Sequence, residues 1–263
     1  MKAAGSPAAA VVPWDVMAYV DLHCHLLPGI DDGAVAMADT IAHARRLAAA
    51  GVHDVACTPH IKRSDFPRVA IAGLAPLRAE AQAAIDAEGI GVRLHGGGEL
   101  AHEDALVLPG EALELIAQGP ADGRWLLLEC PFAGVRHDFV EAAERLWGLG
   151  YGVLLAHPER SASIPGTEGR LRSLVGRGAL VQVNATSLLG HHGPAAQVGG
   201  EHLVRQGLAW CLASDGHPGT RDETLDRGRD ALARLGADAA ALTQRNPRTL
   251  LLDGAHGLDA VAA

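Results

Sequence analysis

The chain has no surplus of positive charge. Its 22 lysine and arginine residues stand against 31 aspartate and glutamate residues, which gives a formal net charge of −9 at pH 7 with neutral histidine. Proteins that bind nucleic acid present a basic face to the phosphate backbone. The composition therefore argues against a nucleic-acid partner, and part of the acidity can belong to metal ligands.

Cysteine is scarce and does not occur in paired motifs. The chain has four cysteines, none of them in C-x-x-C spacing, and they lie within or at the ends of strand-like apolar runs: Cys24, Cys57, Cys130 and Cys211. This pattern indicates neither a zinc ribbon nor a disulfide framework. We expect reduced, mostly buried thiols.

Long apolar runs and linker segments are absent as well. The apolar stretch at residues 8–12 is broken by Pro13 and is too short for a secretion signal or a membrane span. No internal repeat, charge run or linker rich in Ser or Pro divides the chain. We therefore expect a cytoplasmic protein without membrane insertion, with a flexible N-terminal extension at residues 1–17 and a single domain at residues 18–263.

What the sequence does contain is a regular alternation of strand and helix signals. Short apolar runs rich in Val and Leu predict seven strands, near residues 18–24, 52–57, 90–94, 124–129, 151–156, 179–184 and 208–214. Helical stretches lie between them, each followed by a glycine, at residues 37–50, 74–87, 111–118, 138–149, 168–177, 198–206 and 222–235. Seven β/α units predict a closed or nearly closed parallel barrel. An open doubly wound sheet is the alternative, but it would gather ligands only at its switch point.

Metal-ligand residue types stand at the ends of most of these strands. Residues two apart in a strand point to the same side, so His23-Cys24-His25 directs two imidazoles at one point. The carboxyl ends of barrel strands meet on one face of the barrel. An isolated His-x-His is often only a strand terminus, but the series favours a metal site: His60, Glu99, Glu129, His157, Asp215 and His217 occupy corresponding places.

These motifs resemble a known family. The string Asp21-Leu-His-Cys-His-Leu-Leu-Pro-Gly-Ile-Asp-Asp-Gly33, with Thr58-Pro-His60, Gly98-Glu99, His157-Pro-Glu-Arg160 and Ser214-Asp-Gly-His217, is similar to the polymerase-and-histidinol-phosphatase (PHP) superfamily. Within it, the chain resembles the bacterial metal-dependent protein-tyrosine phosphatases of capsule and exopolysaccharide loci, the CpsB/YwqE type. The resemblance runs from about residue 18 to residue 248.

The resemblance implies a distorted (β/α)7 barrel of the TIM-like PHP type with a three-metal cluster at the C-terminal ends of its strands. The metal is usually manganese in this family, with iron, zinc or cobalt as alternatives. A donor set of imidazoles and carboxylates without thiolate agrees with these ions. Glu99 would bridge two ions, and Asp31 is ambiguous between a ligand and a loop acid. The implied ligands are His23, His25, Asp32, His60, Glu99, Glu129, His157, Asp215 and His217.

The implied reaction is phosphomonoester hydrolysis by a hydroxide that bridges two ions. The substrate would be a phosphotyrosyl protein, such as a bacterial tyrosine kinase of exopolysaccharide synthesis. Glu99, His157 and Arg160 are the implied catalytic residues, and Arg160 and Arg136 the expected substrate contacts. Aromatic residues make up only 3% of the chain, so few side chains are available to stack on the ring of a tyrosine substrate. A small phosphorylated metabolite is therefore an alternative substrate.

A second mechanism is suggested by Cys130-Pro-Phe-Ala-Gly-Val-Arg136. It has the C-x5-R spacing by which cysteine phosphatases bind phosphate, with a thiolate nucleophile and an arginine clamp. Glu129 would raise the pKa of the adjacent thiol, so the metal mechanism is favoured. A regulatory module that binds metal or phosphate without turnover is a further alternative.

A few polar residues near the strand ends fall outside the expected ligand set. Asp21 and Asn184 are expected either to support the ligands or to make structural hydrogen bonds. His102 is expected to be a surface or packing residue. The segment at residues 61–66 is expected to be an exposed polar loop, with substrate contact as the alternative.

Overall fold

A computed structural model of the chain describes residues 18–161, 164–222 and 224–255. The extension expected at residues 1–17 and the end of the expected domain, residues 256–263, lie outside the described residues. Strands and helices alternate along the chain in this order: β1 (Tyr19–Cys24), α1 (Met37–Ala49), β2 (Val52–Cys57), β3 (His60–Ile61), α2 (Leu74–Ala87), β4 (Arg93–Gly96), β5 (Glu99–Ala101), α3 (His102–Ala105), α4 (Gly110–Ile116), β6 (Trp125–Glu129), α5 (His137–Gly148), β7 (Gly152–Ala156), α6 (Ile164–Val175), β8 (Leu180–Asn184), α7 (Ala185–Leu188), α8 (Gly193–Arg205), β9 (Cys211–Ala213), α9 (Leu225–Arg234) and α10 (Asn246–Asp253).

The strands form two sheets in which every strand pair is parallel. The first sheet has three strands in the order β1-β2-β4, and the second has six in the order β3-β5-β6-β7-β8-β9. The predicted α/β fold with parallel strands is thereby confirmed. The described strands do not join into one closed sheet, whereas the sequence predicted a closed or nearly closed barrel.

The chain passes from the first sheet to the second at two breaks. Strand β2 ends at Cys57 and β3 begins at His60, while β4 ends at Gly96 and β5 begins at Glu99. Strand β3 pairs with β5 so that His60 lies opposite Glu99. Each break thus places a metal-ligand residue type at the first position of the following strand, on adjacent strands.

The other edges of the two sheets meet where β1 approaches the segment after β9. The Asp215 N–H donates to the His23 carbonyl at 2.9 Å, and the His25 N–H donates to the Gly216 carbonyl at 2.8 Å. The Asp21 carboxylate also accepts the Ser214 N–H at 3.1 Å. These bonds hold the carboxyl ends of β1 and β9 side by side.

The face that carries the ligand residues is apolar at one end and polar at the other. Alternate residues of β6 point to the same side, so Trp125, Leu127 and Glu129 share a face. Trp125 and Leu127 belong to an apolar cluster formed by several strands and α10, whose buried members are Val20, Leu22, Trp125, Leu127, Leu154, Ala156, Cys211, Leu250 and Leu251. The polar end of the same face begins one step further along, at Glu129 on β6.

The predicted boundaries of the strands agree with the structure to within three residues. The largest differences among the predicted helices are at the amino ends, where α8 begins at Gly193 instead of residue 198. Pro194 lies in the first turn of α8, where its missing N–H is tolerated, so this proline starts the helix and does not exclude it. No helix among the described residues has the length and apolarity needed to cross a bilayer.

Candidate metal centre

The structure brings all nine expected ligands into one connected cluster. They fall into four groups, and within each group the donor atoms lie within 4.8 Å of one another. The groups share His23, His25, His60 and Glu99, which makes the cluster continuous. Their members are His25, Asp32, His60 and His217; His23, Glu99 and His157; His23, His25 and Asp215; and His60, Glu99 and Glu129.

Glu99 lies at the middle of this cluster. Its Oε2 atom is 3.0 Å from His60 Nδ1, 3.2 Å from His25 Nε2 and 3.3 Å from His23 Nε2. Its Oε1 atom is 2.7 Å from His157 Nε2. One buried carboxylate thus faces four imidazoles that come from the ends of three strands, β1, β3 and β7.

The donor atoms fit a group of divalent cations. His23 Nε2 and His25 Nε2 are only 3.2 Å apart. Glu99 Oε2 and His60 Nδ1 are buried and, among the described residues, neither accepts nor donates a well-formed hydrogen bond. Buried polar atoms in proteins are nearly always hydrogen bonded. Donor atoms that converge while some of them lack a hydrogen-bond partner are typical of a metal site, and imidazole with carboxylate is a donor set for divalent transition ions.

The loop after β1 carries two acids to the cluster because it folds back on His25. A Cβ atom at Gly33 would lie 2.1 Å from the His25 carbonyl oxygen, so only glycine fits there. Asp31 Oδ2 accepts from His25 Nδ1 at 2.8 Å and from the His60 N–H at 3.0 Å. Asp32 is half-exposed, and its Oδ1 lies 3.1 Å from His217 Nε2. Asp31 therefore orients the His25 ring, while Asp32 faces the cluster.

Protons and cations compete for this site. Burial alone would lower the pKa of His25, but its hydrogen bond to Asp31 and the Glu99 carboxylate, 3.2 Å from Nε2, raise that pKa to about 9. Burial and the charge of Glu99 raise the pKa of Glu129 to about 7. Ligands must lose their protons to bind a metal, so a cation bound here would release protons and would bind more tightly as the pH rises.

Two residues of β8 support the cluster. Gln182 Oε1 lies 3.1 Å from His23 Nδ1 and accepts the His157 N–H at 3.3 Å. The Asn184 Nδ2 group donates to Asp215 Oδ2 at 2.7 Å. Partners of this kind fix the ring orientation of ligand histidines and the position of ligand carboxylates.

Two arginines converge on the Asp215 carboxylate. Arg160 Nη1 donates to Asp215 Oδ2 at 2.8 Å, and Arg221 Nη2 lies 3.3 Å from Asp215 Oδ1. His157 and Asp215 both have left-handed backbone conformations, with φ of 35° and 49°. Such conformations cost on the order of 1–3 kcal/mol in a non-glycine residue and are concentrated at functional sites. His157 precedes Arg160 by three residues, and Asp215 is the carboxylate that both arginines approach. The unusual backbone conformations therefore lie where the arginines meet the cluster.

The residues of the C-x5-R segment do not form a phosphate loop. Cys130 is 1% exposed, and burial together with the charges of Glu159 and Glu129 raises the pKa of its thiol well above the usual range. Arg136 is exposed before α5, and no hydrogen bond or ion pair among the described residues links it to the cluster. The thiol mechanism therefore lacks both an ionised nucleophile and a converging arginine.

Asp21, His102 and the four cysteines lie outside the four groups of the cluster. Asp21 Oδ1 accepts the His23 N–H at 3.2 Å and the Ser214 N–H, after β9, at 3.1 Å, and it belongs to none of the four groups of the cluster. His102 is the first residue of α3. Its Nδ1 atom lies 3.0 Å from Glu103 Oε2, and its ring centroid lies 6.2 Å from that of Phe139. All four cysteines are free and buried.

Four residues that contact the site have no individual role predicted from the sequence. Gln182 could have been found, because it precedes Asn184 by two positions on β8 and therefore shares its face. Arg221, Phe66 and Phe132 lie in loops, where no periodicity marks them. The ring of Phe66 stacks on His60, which places the end of the 61–66 loop against the cluster.

A buried histidine behind the cluster predicts a loss of stability in acid. His43 on α1 is fully buried, and burial together with the charge of Arg46 lowers its pKa to about 4. An unfolded histidine has a pKa of about 6.5, so between pH 6.5 and pH 4 only the unfolded chain takes up the proton. Above pH 6.5 the burial of neutral His43 therefore adds no pH dependence to the free energy of unfolding. As the pH falls from 6.5 to about 4, this free energy decreases by up to about 3 kcal/mol.

We expect the His43→Leu variant to show a smaller fall in the free energy of unfolding between pH 6.5 and pH 4 than the unsubstituted chain. Urea denaturation with chelator at a series of pH values measures this difference. His137→Leu is the matched control for the loss of an imidazole, because the His137 side chain is 86% exposed on α5. Equal slopes for His43→Leu and the unsubstituted chain would contradict the prediction.

Comparison with known proteins places the chain among proteins of one kind. A family model described as "Capsular polysaccharide synthesis, CpsB/CapC" matches residues 19–252. The chain is 30% identical over 202 residues to CapC of Staphylococcus aureus, whose name assigns it to the tyrosine-protein phosphatases. It is 29% identical, also over 202 residues, to the tyrosine-protein phosphatase YwqE of Bacillus subtilis. These alignments cover 75% of this chain, 76% of CapC and 77% of YwqE.

The structure is also similar to a solved structure of this kind. It matches a chain from the crystal structures of YwqE from Bacillus subtilis and CpsB from Streptococcus pneumoniae, which are described as unique metal-dependent tyrosine phosphatases. The TM-score is 0.76 at 26% sequence identity, and the match covers 88% of this chain and 94% of that chain.

Proposed function

This chain belongs to the CpsB/CapC family of capsular polysaccharide synthesis proteins, and we propose that it is a metal-dependent protein-tyrosine phosphatase. The resemblance to the CpsB/YwqE type that the sequence motifs indicated is thereby confirmed. The observation that carries the function is the cluster of five imidazoles and four carboxylates, most of them buried, with Arg160 at its edge. Its relatives CapC and YwqE are named as tyrosine-protein phosphatases.

We propose that three divalent ions, manganese before iron, zinc or cobalt, are held by the nine residues of the cluster. Three such ions outweigh the four carboxylates, so the site keeps a net positive charge that suits a phosphate dianion. Divalent ions supply a water of lowered pKa and stabilise charge on phosphoryl oxygens. The ligands are His23, His25, Asp32, His60, Glu99, Glu129, His157, Asp215 and His217.

The arginines bind and orient the phosphoryl group in this proposal. The side chain of Arg160 is 17% exposed and that of Arg221 is 21% exposed, so N–H groups remain that Asp215 does not use. Guanidinium groups bind phosphate through two parallel hydrogen bonds. Arg136, which is exposed, is proposed to contact the substrate outside the cluster. A tyrosinate leaving group has a pKa of about 10 and needs little proton assistance.

The proposed substrate protein is a bacterial tyrosine kinase of exopolysaccharide synthesis. This assignment is supported by the name of the family, which refers to capsular polysaccharide synthesis. We place the reaction in the cytoplasm, and the four free, buried cysteines support a reducing compartment.

The fold proposed for the catalytic domain is a distorted seven-stranded barrel of the PHP type. Strands β2 and β3 count as one broken strand, as do β4 and β5, since only two residues separate the halves of each. The parallel bridge between Cys24 and Gly216 supports closure between β1 and β9. In this proposal residues 18–263 form one domain.

The test is hydrolysis of an aryl phosphate and a phosphotyrosyl peptide by protein stripped of metal with a chelator and then reloaded with manganese. We expect activity to disappear on stripping and to return on reloading. Cys130→Ser should retain activity within about threefold, because the buried thiol is not the nucleophile. Loss of activity in Cys130→Ser without loss of bound metal would overturn the proposal. Clear preference for a small phosphorylated metabolite over both substrates would assign the site to that metabolite instead.

A further inference from the structure

Two of the three phenylalanines of this chain stand beside the metal centre. The ring of Phe66 is parallel to the His60 imidazole, with centroids 4.7 Å apart and an interplanar angle of 4°. The ring of Phe132 is near-parallel to the His157 imidazole at 6.4 Å and 12°. His60 and His157 approach different oxygens of the Glu99 carboxylate. Each of the two rings thus lies beside a different imidazole of the cluster.

The Phe132 side chain is 51% exposed and lies in a turn before α5. Its turn is closed by the Gly134 N–H, which donates to the Pro131 carbonyl at 2.9 Å. The Ser161 hydroxyl donates to the same carbonyl at 2.8 Å and ties the turn to the segment that carries Arg160. The side chain is thus presented to solvent by a turn with defined partners.

Arg160 connects the Phe132 ring to the proposed phosphate site. Its guanidinium carbon lies 5.0 Å from the centroid of the Phe132 ring, within the range of a cation–π contact. The same guanidinium donates to Asp215 inside the cluster. A phosphoryl group bound by Arg160 would therefore place its ester substituent next to the face or edge of Phe132.

The Phe66 ring is held in a similar way. Its loop is fixed by ion pairs between Lys62 and Asp65, at 2.8 Å, and between Arg63 and Asp104, at 2.5 Å. Phe139, the third phenylalanine, is fully buried in α5 and shows the ordinary behaviour of this residue type. The chain is poor in aromatic residues, yet it places two rings where an aromatic ester group would need them.

We propose that Phe132, assisted by Phe66, forms an aryl-binding wall that makes the phosphatase prefer phosphate esters of phenols over those of alkyl alcohols. The inference rests on the proposed function and adds the residues that determine its substrate preference. Aromatic pairs favour offset or edge-to-face contact, and their stacking contributes beyond the area that they bury. An alkyl ester has no ring for this contact, so the wall would not improve its binding.

The experiment compares kcat/KM for phenyl phosphate and for phosphoserine in the manganese-loaded protein and its variants. For Phe132→Ala we expect about a tenfold loss with phenyl phosphate, carried by KM, and less than a twofold change with phosphoserine. Phe132→Leu should behave like Phe132→Ala, while Phe132→Tyr should stay near the unsubstituted protein. Phe66→Leu should show the same selective loss to a smaller extent. Leu115→Ala is the control, since it removes an apolar side chain of similar exposure on α4.

A binding measurement separates this inference from the proposed function. Calorimetry gives the ratio of the dissociation constants of methylphosphonate and phenylphosphonate, which requires no turnover. We expect the unsubstituted protein to prefer phenylphosphonate and Phe132→Ala to lose most of that preference. If the protein hydrolyses no phosphate ester, the proposed function fails, and the ratio still tests the wall. Equal losses for aryl and alkyl ligands in Phe132→Ala, or an unchanged ratio, would overturn the inference.

Discussion

Replacement of Glu99 by glutamine is expected to lower kcat/KM for an aryl phosphate by about a thousandfold or more and to reduce the bound metal. Glutamine keeps the shape of the side chain but removes the negative charge that faces His23, His25, His60 and His157. Burial alone would raise the pKa of Glu99, but the neighbouring imidazoles keep it well below its usual range, so the native side chain is ionised. Several ions would lose their shared ligand at once.

Metal analysis and steady-state kinetics on the same preparation measure this effect. Glu111→Gln is the matched control, because Glu111 is exposed on α4 and the substitution changes the net charge equally. Circular dichroism should show that both variants are folded. A Glu99→Gln variant that keeps its full metal content and activity would contradict the central role of Glu99.

The strand ends of this fold could be predicted from the sequence because they follow a simple rule. In a parallel sheet the carboxyl ends of the strands share one edge, so ligand-type residues that follow apolar runs must come together. This rule predicts that His23, His25 and His157 lie close together, and the family resemblance adds Asp32 to the expected ligands. The nine residues do lie together in the structure.

The breaks in the sheet could not be predicted in the same way. Periodicity predicts one strand near 52–57, but whether the backbone continues the same hydrogen-bond ladder after Cys57 depends on partners far along the chain. The Thr58 N–H still donates to the Cys24 carbonyl of β1 at 2.9 Å, so the first ladder extends to Thr58. A new ladder begins at His60, opposite Glu99. The division into two sheets is therefore a tertiary effect.

The contacts of the residues around the ligands also could not be predicted from local sequence patterns. Asp31 and Asp32 are adjacent and chemically identical, and only the folding of the loop onto His25 decides which one bonds Nδ1 of that ring. Phe132 lies in a segment whose C-x5-R spacing drew attention to Cys130 instead. Its position beside Arg160 depends on the Ser161 hydrogen bond across two loops. The low aromatic content predicted a thin wall, but it did not say where the few rings lie.

Replacement of Arg160 by alanine is expected to lower kcat/KM for aryl phosphates by about a hundredfold to a thousandfold while the bound metal is retained. The loss is that of a charge-assisted donor to the phosphoryl oxygens, and removal of one preorganised donor has effects of this size. The metal should remain because Asp215 keeps Asn184, at 2.7 Å, and Arg221, at 3.3 Å, as partners. Inorganic phosphate should inhibit the variant more weakly than the unsubstituted protein.

Arg160→Lys distinguishes charge from geometry. Lysine keeps the positive charge but cannot form the two parallel hydrogen bonds of a guanidinium, so we expect it to recover only a small part of the loss. Arg205→Ala, which removes an exposed arginine on α8, should leave both kinetics and metal content unchanged. If Arg160→Ala loses metal together with activity, the arginine acts by holding Asp215. If metal and phosphate inhibition are both unchanged, it does not bind the phosphoryl group. Only retained metal with weakened phosphate binding assigns Arg160 to the substrate.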